Sequence, residues 1–411
     1  MSDAPRVAVV GGGPSGLMAA EVLARAGLAV TVYERMPTVG RKLQVAGRGG
    51  LNLTHSEPLE SFLDRYGPAR GFLEQPIERF DPAALRAWSE DLGEETFVGT
   101  SGRVFPVGFR ATTLLRAWLA RLADLGVELR TRHTWTGWDA AGHLVLTDAA
   151  GEEVVDAADA CVLALGGASW PRTGSDGSWV PVLDDQGIAV TPLRPANCGF
   201  VVAWSDLFRE RFAGEPLKDV SLHHQGSAAR GDVVVVDTGI EGGPVYALSA
   251  QLRGAIERDG SAELKLDLLP DAEDDAVLAR LDRRRPKDSV TSGLRRAGVA
   301  DVAIGLLREA TGNRVPTERQ ALASLLRSVP LQLLATRPIE RAISTAGGVA
   351  LDEIDHHMML KRRAGTFVAG EMLDWEAPTG GYLLQGAFAT GAAAAHGVID
   401  WLLEESEPAR Q

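Results

Sequence analysis

The stretch RVAVVGGGPSGLMAAEVLARAGLAVTVYER, residues 6–35, constrains the fold more than any other part of the chain. Arg6 to Val10 reads as a short buried strand. Pro14 to Ala26 reads as an Ala-rich helix closed by Gly27, and Leu28 to Tyr33 as a second strand running into Glu34 and Arg35. Gly11, Gly13 and Gly16 set G-x-G-x-x-G between strand and helix. Gly11 permits the tight turn, Gly13 leaves the backbone bare for a pyrophosphate, and Gly16 lets helix and strand pack closely. Pro14 and Ser15 open a helix whose free N–H groups and partial positive charge suit a phosphate. Glu34 stands where a carboxylate accepts from ribose hydroxyls, and an acid there disfavours a 2′-phosphate. Strand before, helix after and acid beyond are the context that makes this motif a dinucleotide site. The motif alone leaves NAD and FAD both open.

With 411 residues there is room for two or three domains. A composition 45% hydrophobic and 24% charged is that of a soluble globular chain. The formal charge of −13 argues against nonspecific binding to nucleic acid or an anionic membrane. Cys161 and Cys198 form no C-x-x-C, which suits a reducing compartment. No apolar run approaches the ~18 residues of a membrane span, and the first strand begins too early for a signal peptide. A cytoplasmic location is the expectation. The adjacent pairs His223–His224 and His356–His357 have no Cys/Asp cluster beside them, so no metal site is expected.

Downstream, residues 40–57 interleave Gly40, Gly47, Gly49 and Gly50 with Arg41, Lys42 and Arg48, then add Asn52 and Thr54. Such a loop offers amides and cations to a phosphate or an electron-rich ring edge. Val127 to Arg132, Gly142 to Thr147 and Glu152 to Asp156 read as a small β meander. Asp159 to Leu165 reads as a buried strand running into Gly166 and Gly167. A strand ending in two glycines fits backbone packed against a ligand at the carboxyl edge of a parallel sheet. The character changes near Thr191, giving a β-rich region over 191–270 and a helical one over 271–330. The basic run Arg283 to Lys287 reads as a solvated helix end. The expected division is 1–190 with 343–411 as one discontinuous domain and 191–342 as an insert. Near the C terminus an apolar strand, Thr366 to Ala369, precedes Gly370 and Glu371. Thr379, Gly380 and Gly381 then open a small-residue helix through Tyr382, Leu383 and Leu384. An NAD-only protein has no need of this second glycine-lined helix start. Reduced flavin, which gathers negative charge at N1 and C2=O, is suited by it. Glu371 is placed to accept from ribityl hydroxyls.

Taken together, GGGPSGLMAA, GRKLQVAGRGGLNLTH, ALGGASWPRTGSDG, TAGGV and FVAGEMLDWEAPTGGYLLQGAFATG resemble the bacterial FAD-dependent oxidoreductases of the aminoacetone-oxidase-like and BaiN-like flavoprotein family. The resemblance implies an α/β fold: a Rossmann-like FAD-binding domain of the two-dinucleotide-binding-domain type, interrupted by an inserted β-barrel plus helical domain. It implies that Gly11, Gly13 and Gly16 hold the pyrophosphate and Glu34 the adenosine ribose. Arg41, Lys42 and Gly47–Thr54 would line the flavin side, and backbone near Trp135 would meet adenine. Gly370, Glu371 and Thr379–Leu384 would hold ribityl chain and isoalloxazine. The chain departs from the family's commoner Gly-Gly-Gly-Arg-Cys-Asn at Gly47–Asn52, and from its usual Asn at Leu383, as a divergent subgroup would.

The resulting expectation is an FAD-dependent oxidoreductase moving hydride between flavin and a small organic substrate seated between FAD domain and insert. NAD(P)H and oxygen are both open as electron partners; the lack of a second G-x-G-x-x-G argues against tight NAD(P)H binding and leaves transient docking open. Arg48, Tyr382, His133 and Trp375 are catalytic candidates by position only. The competing reading is a flavin-binding redox sensor or scaffold without turnover.

Overall fold

The computed structural model describes residues 4–283, 285 and 287–406, with Arg48 and Ser406 described by backbone only. Arg284 and Pro286, in the basic run, lie outside the described residues. The chain divides into two compact units, Met1–Arg194 with Ser344–Gln411 and Pro195–Ile343.

The first unit is built on a five-stranded sheet in the spatial order Thr366–Val368, Ala160–Leu163, β1 (Arg6–Val10), β2 (Ala29–Glu34), Glu128–Thr131. Every pairing is parallel. Strands covered on both faces read as continuous apolar runs, and Val7–Val10, Ala160–Leu163 and Thr366–Val368 are buried at every position. From β1 the chain crosses through helix α1 (Pro14–Arg25) to β2 on one side. The strand on the other side of β1 comes from residues 160–163, so the strand order reverses beside β1. In open α/β sheets the crevice at such a reversal, outside the carboxyl ends of the strands, is where ligands bind.

Two stretches differ from the sequence expectation. Glu128–Thr131 joins the parallel sheet beside β2, and the meander is formed instead by Thr134–Trp138, Leu144–Thr147 and Glu153–Asp156. The cause is Arg132, which turns the chain at φ +61 between the two sheets. The glycine-rich stretch after Gly40 is also not a plain loop. Arg41–Ala46 is a short helix and Gly47–Gly49 a 3-10 turn, because Leu43 finds a fully buried seat in the core.

The second unit holds a seven-stranded antiparallel sheet in the order Val329–Leu333, Ala262–Asp267, Pro216–His224, Ser227–Val236, Gly239–Glu241, Phe200–Val201, Ala335–Thr336. Its two end strands are separated by Leu334 alone, whose N–H donates to Val201 O at 2.9 Å. One bent segment thus pairs with both ends of the order, its first half with Ala262–Leu266 and its second with Phe200–Val201, which closes the circuit of strands. Helices between Asp274 and Arg327 complete this unit's separate apolar core.

In the first unit α1 carries an acid into the core. Glu21 is 2% exposed. Its carboxylate accepts from the indole N–H groups of Trp88 (3.0 Å) and Trp118 (2.7 Å), and pairs with Arg25 and Arg121. A buried carboxylate is tolerable only with such a full set of donors. Glu21→Ala leaves two buried indole N–H groups without an acceptor and Arg25 and Arg121 with Asp91 alone. It is expected to cost about 3–5 kcal/mol, read as a shift in denaturation midpoint at unchanged m-value.

The four tyrosines share one property. Burial, aided by the Asp156 carboxylate that accepts its hydroxyl, pushes Tyr33 up to about 12. Burial and the nearby charge of Glu241 push Tyr246 up to about 12. Burial raises Tyr66, and burial followed by the Glu57 hydrogen bond raises Tyr382, both well above the ordinary tyrosine value. Raised folded-state values mean that the stabilisation is complete below the unfolded tyrosine pKa of ~10 and lost as pH rises through the folded values. Native protein is therefore expected to show no tyrosinate absorbance until pH exceeds about 11, while stability falls from pH ~10 upward, where the denatured chain alone ionises.

Candidate functional site

At the end of β1 the three motif glycines divide their labour. Gly11 sits at φ +110, and a Cβ there would lie 2.2 Å from Ala164 O on the neighbouring strand's exit. A Cβ on Gly16 would lie 1.9 Å from Gly11 O, so this glycine closes helix onto turn. Gly13 is different: a Cβ there meets no protein atom within 4 Å, and the backbone is in the extended region. Its bareness serves no packing purpose and fits a pyrophosphate at the N terminus of α1, where Pro14 is the first helical residue.

Glu34 ends β2 beside this turn. Its Oε2 accepts from Gly12 N (2.9 Å) and its Oε1 from Met36 N (2.7 Å). Burial raises its pKa against the pull of those two amides. Each oxygen keeps lone-pair capacity for a ribose hydroxyl. Past the acid, His133 N donates to Glu34 O at 3.0 Å, which leads the chain into the meander strand bearing Trp135. Trp135 is buried and its indole N–H has no partner among the described residues. Arg35 turns away to Asp176, 2.6 Å distant.

The other expected residues gather around three segments. Lys42 Nζ reaches Glu371 Oε2 (2.5 Å) and Ser169 Oγ (2.7 Å). Glu371 Oε1 accepts from Thr345 N at 3.0 Å, and Thr345 Oγ1 accepts from the amides of Ala168 and Ser169. Gly167 N also stands 3.4 Å from Glu371 Oε2, so both of its oxygens are engaged within the protein. Gly166 and Gly167 lie at the crevice, but their missing side chains make room for protein. The Cβ positions face Ser175 Oγ at 3.1 Å and Thr345 Oγ1 at 2.3 Å. Gly47 likewise accommodates Ala111, while a Cβ on Gly49 would be open and Gly50 faces the Phe109 ring. Gly370, at φ +83, lets Ser15 approach: its Cβ position is 2.2 Å from Ser15 Oγ.

The second helix start lies against the Asn52–Thr54 segment. Gly380 and Gly381 sit at φ +140 and +98, and a Cβ on Gly381 would lie 2.5 Å from the Thr54 backbone. The long helix Tyr382–Ser406 follows, with Leu383 and Leu384 packed on the core. Beside this start Asn52 Oδ1 and Thr54 Oγ1 are buried without a hydrogen-bond partner among the described residues, as is Arg41 Nε. Buried polar groups rarely stay unpaired. These orphans, with bare Gly13, fit FAD: donors and acceptors await a polar ligand at both helix starts. No step of chemistry can be placed on the four positional candidates. Tyr382 donates its hydroxyl to Glu57 (2.6 Å), Trp375 its indole N–H to Gly370 O (2.9 Å), and His133 its Nδ1–H to Thr131 O (2.8 Å). The Arg48 side chain lies outside the described residues. Thr345, Ser175 and the Glu57–Arg65 pair beside Tyr382 escaped sequence reasoning. Only tertiary folding brings them to these helix starts, and no spacing in the chain signals it.

The contrast between the glycines gives a test. Gly13→Ala is expected to leave the apoprotein's melting temperature unchanged while lowering FAD affinity at least tenfold. Gly16→Ala must move backbone and is expected to lower stability by several kcal/mol. Flavin content after purification, alongside thermal melts of apoprotein, separates the two.

Residues 5–397 match the family described as HI0933-like protein Rossmann domain. The chain is 25% identical over 406 residues to the 3-dehydro-bile acid delta(4,6)-reductase of Clostridium scindens, covering 95% of this chain and 98% of that protein. It is 22% identical over 422 residues to the ribosomal RNA dihydrouridine synthase of Haemophilus influenzae, covering 96% and 98%. In fold it is similar to the open conformation of a flavocytochrome c3 fumarate reductase, with a TM-score of 0.55 at 15% identity over 98% of this chain and 79% of that one. It is also similar to the 3-ketosteroid delta1-dehydrogenase of Sterolibacterium denitrificans, with a TM-score of 0.53 at 13% identity over 97% and 100%. Among the described residues no helix is long and apolar enough to cross a membrane, and no group of His, Cys, Asp and Glu could hold a metal ion. With a dinucleotide turn at one helix start and a second glycine-lined start in the same unit, the chain belongs to the HI0933-like Rossmann family and is an FAD-dependent oxidoreductase.

Proposed function

We propose that this protein is a reductase that adds hydrogen across a carbonyl-conjugated carbon–carbon double bond of a small molecule, with NAD(P)H as the electron donor. FAD, when bound, supplies the two-electron chemistry; the chain supplies position and electrostatics. The observation that carries the reading is the second helix start, where Gly380 and Gly381 rest on Thr54 beside the orphaned Asn52 and Thr54 side chains. Unpaired N–H groups at a helix start favour an anion, so this end of the site stabilises the reduced cofactor relative to the oxidised. Two relatives matched along their full length are a delta(4,6)-reductase and a dihydrouridine synthase, names of enzymes that hydrogenate a double bond. The formal charge of −13 favours a small molecule over RNA as the acceptor.

In this role Gly13 and the start of α1 hold the pyrophosphate, Glu34 the adenosine ribose, and Asn52, Thr54 and the Thr379–Leu384 turn the flavin end. Tyr382 is fixed at both of its oxygens. Its hydroxyl is bound by Glu57, and its carbonyl accepts from Tyr66 at 2.7 Å. Glu57 is in turn held by a two-pronged pair with Arg65. The helix start is therefore rigid before any ligand arrives. For each turnover one hydride and one proton are added to the substrate, the hydride originating from NAD(P)H and the proton from solvent.

Anaerobic mixing of the flavin-loaded protein with NADH or NADPH is expected to bleach the flavin band, and an added conjugated enone to restore it. Rapid restoration by oxygen with no enone response would make the protein an oxidase. Absence of reduction by either nucleotide and of any turnover would leave the sensor reading.

A further inference from the structure

The segment Arg172–Ser178 follows the crevice strand Ala160–Leu163 and returns across the acid end of β2. It is anchored on one side by Gly177 N to Gly167 O (3.1 Å) and by the Trp179 indole N–H to Gly166 O (2.9 Å). On the other side Arg35 Nη1 donates to Asp176 Oδ2 (2.6 Å) and lies 3.3 Å from Ser178 Oγ. Ser178 N donates to the other Asp176 oxygen, which fixes the carboxylate. Between these anchors Gly174, at φ +106, places its Cβ position 3.5 Å from Glu34 Oε1. The next residue, Ser175, is 7% exposed, lies beside Gly166, and has an Oγ with no partner among the described residues.

We propose that this segment is a clasp over the adenosine end of the dinucleotide site, in which Ser175 is a further cofactor ligand and Asp176 sets selectivity against a 2′-phosphate. The inference rests on reading Glu34 as the ribose acceptor. An arginine just beyond that acid is the residue type that accommodates a 2′-phosphate in dinucleotide folds. Here its guanidinium is occupied by Asp176, and the same carboxylate adds negative charge where that phosphate would arrive. The ribose is thus required to be unphosphorylated twice over, by Glu34 directly and by Asp176 through Arg35. The buried Ser175 hydroxyl, able to donate and accept, supplies a contact that no protein group takes up.

Calorimetric titration of apoprotein with ADP-ribose and with 2′-phospho-ADP-ribose tests the selectivity, and flavin fluorescence after dilution of FAD-loaded protein tests Ser175. Wild type is expected to favour ADP-ribose. Asp176→Ala is expected to narrow that preference about tenfold or more, and the Arg35→Ala/Asp176→Ala double variant to lose the gain. Ser175→Ala is expected to release FAD about three- to tenfold faster. An unchanged nucleotide preference in Asp176→Ala would overturn the role of Asp176, and an unchanged release rate in Ser175→Ala the role of Ser175. Wild type that binds neither nucleotide overturns the reading of Glu34 and the clasp with it. Wild type that binds ADP-ribose but no FAD overturns the flavin reading while leaving the selectivity of Asp176 measurable.

Discussion

The structure of the first unit depends on how closely two helices approach at Ser15. The carbonyl of Ser15 lies 2.3 Å from the Cβ position of Gly391, and its hydroxyl 2.2 Å from that of Gly370. A side chain at Gly391 would push α1 away from the helix Tyr382–Ser406, and one at Gly370 would displace the Ser15 side chain. These residues stand more than 350 positions apart in the chain. Their contact makes one body from the N- and C-terminal segments and brings both helix starts into it. Close packing of small residues yields this approach because backbone meets backbone with no rotamer to freeze.

A polar network repeats the same join. Lys42, Ser169, Thr345 and Glu371 come from four separate segments and meet through one ammonium, one carboxylate and two hydroxyls. Partly buried ion pairs contribute modestly to stability because desolvation offsets attraction. What this one provides is register: Thr345 can accept from two amides only if the strand Ser344–Val349 sits at one height beside the Gly166–Ser169 turn. Precision at a site follows from such over-determination, since each donor is held by more than one neighbour.

Much of this was legible in the chain. The β1–α1–β2 motif carries its own geometry, since the turn, the helix start and the acid are local features. Gly11 and Gly16 proved to be glycine for the reasons that local physics assigns. The roles of Gly166, Gly167 and Gly47 were not legible, because a glycine that makes room for a ligand looks the same in sequence as one that makes room for Thr345 or Ala111. The helix at Arg41–Ala46 was hidden for a related reason: glycines on both sides suggest a loop, and only burial of Leu43 overrides them. Glu371 pairs with Lys42 from the far end of the chain, and no periodicity predicts that pair. Ser175 and Thr345 are single hydroxyls in stretches read for their glycines.

The bent segment Val329–Thr336 joins the two ends of the second unit's strand order. The strands by which the chain enters and leaves this unit, Val190–Ala196 and Ser344–Val349, pair with each other. A module that closes on itself and begins and ends at neighbouring points costs its host little loop-closure entropy. Residues can therefore be added or removed within Pro195–Ile343 without reopening the strand pair at which that stretch begins and ends.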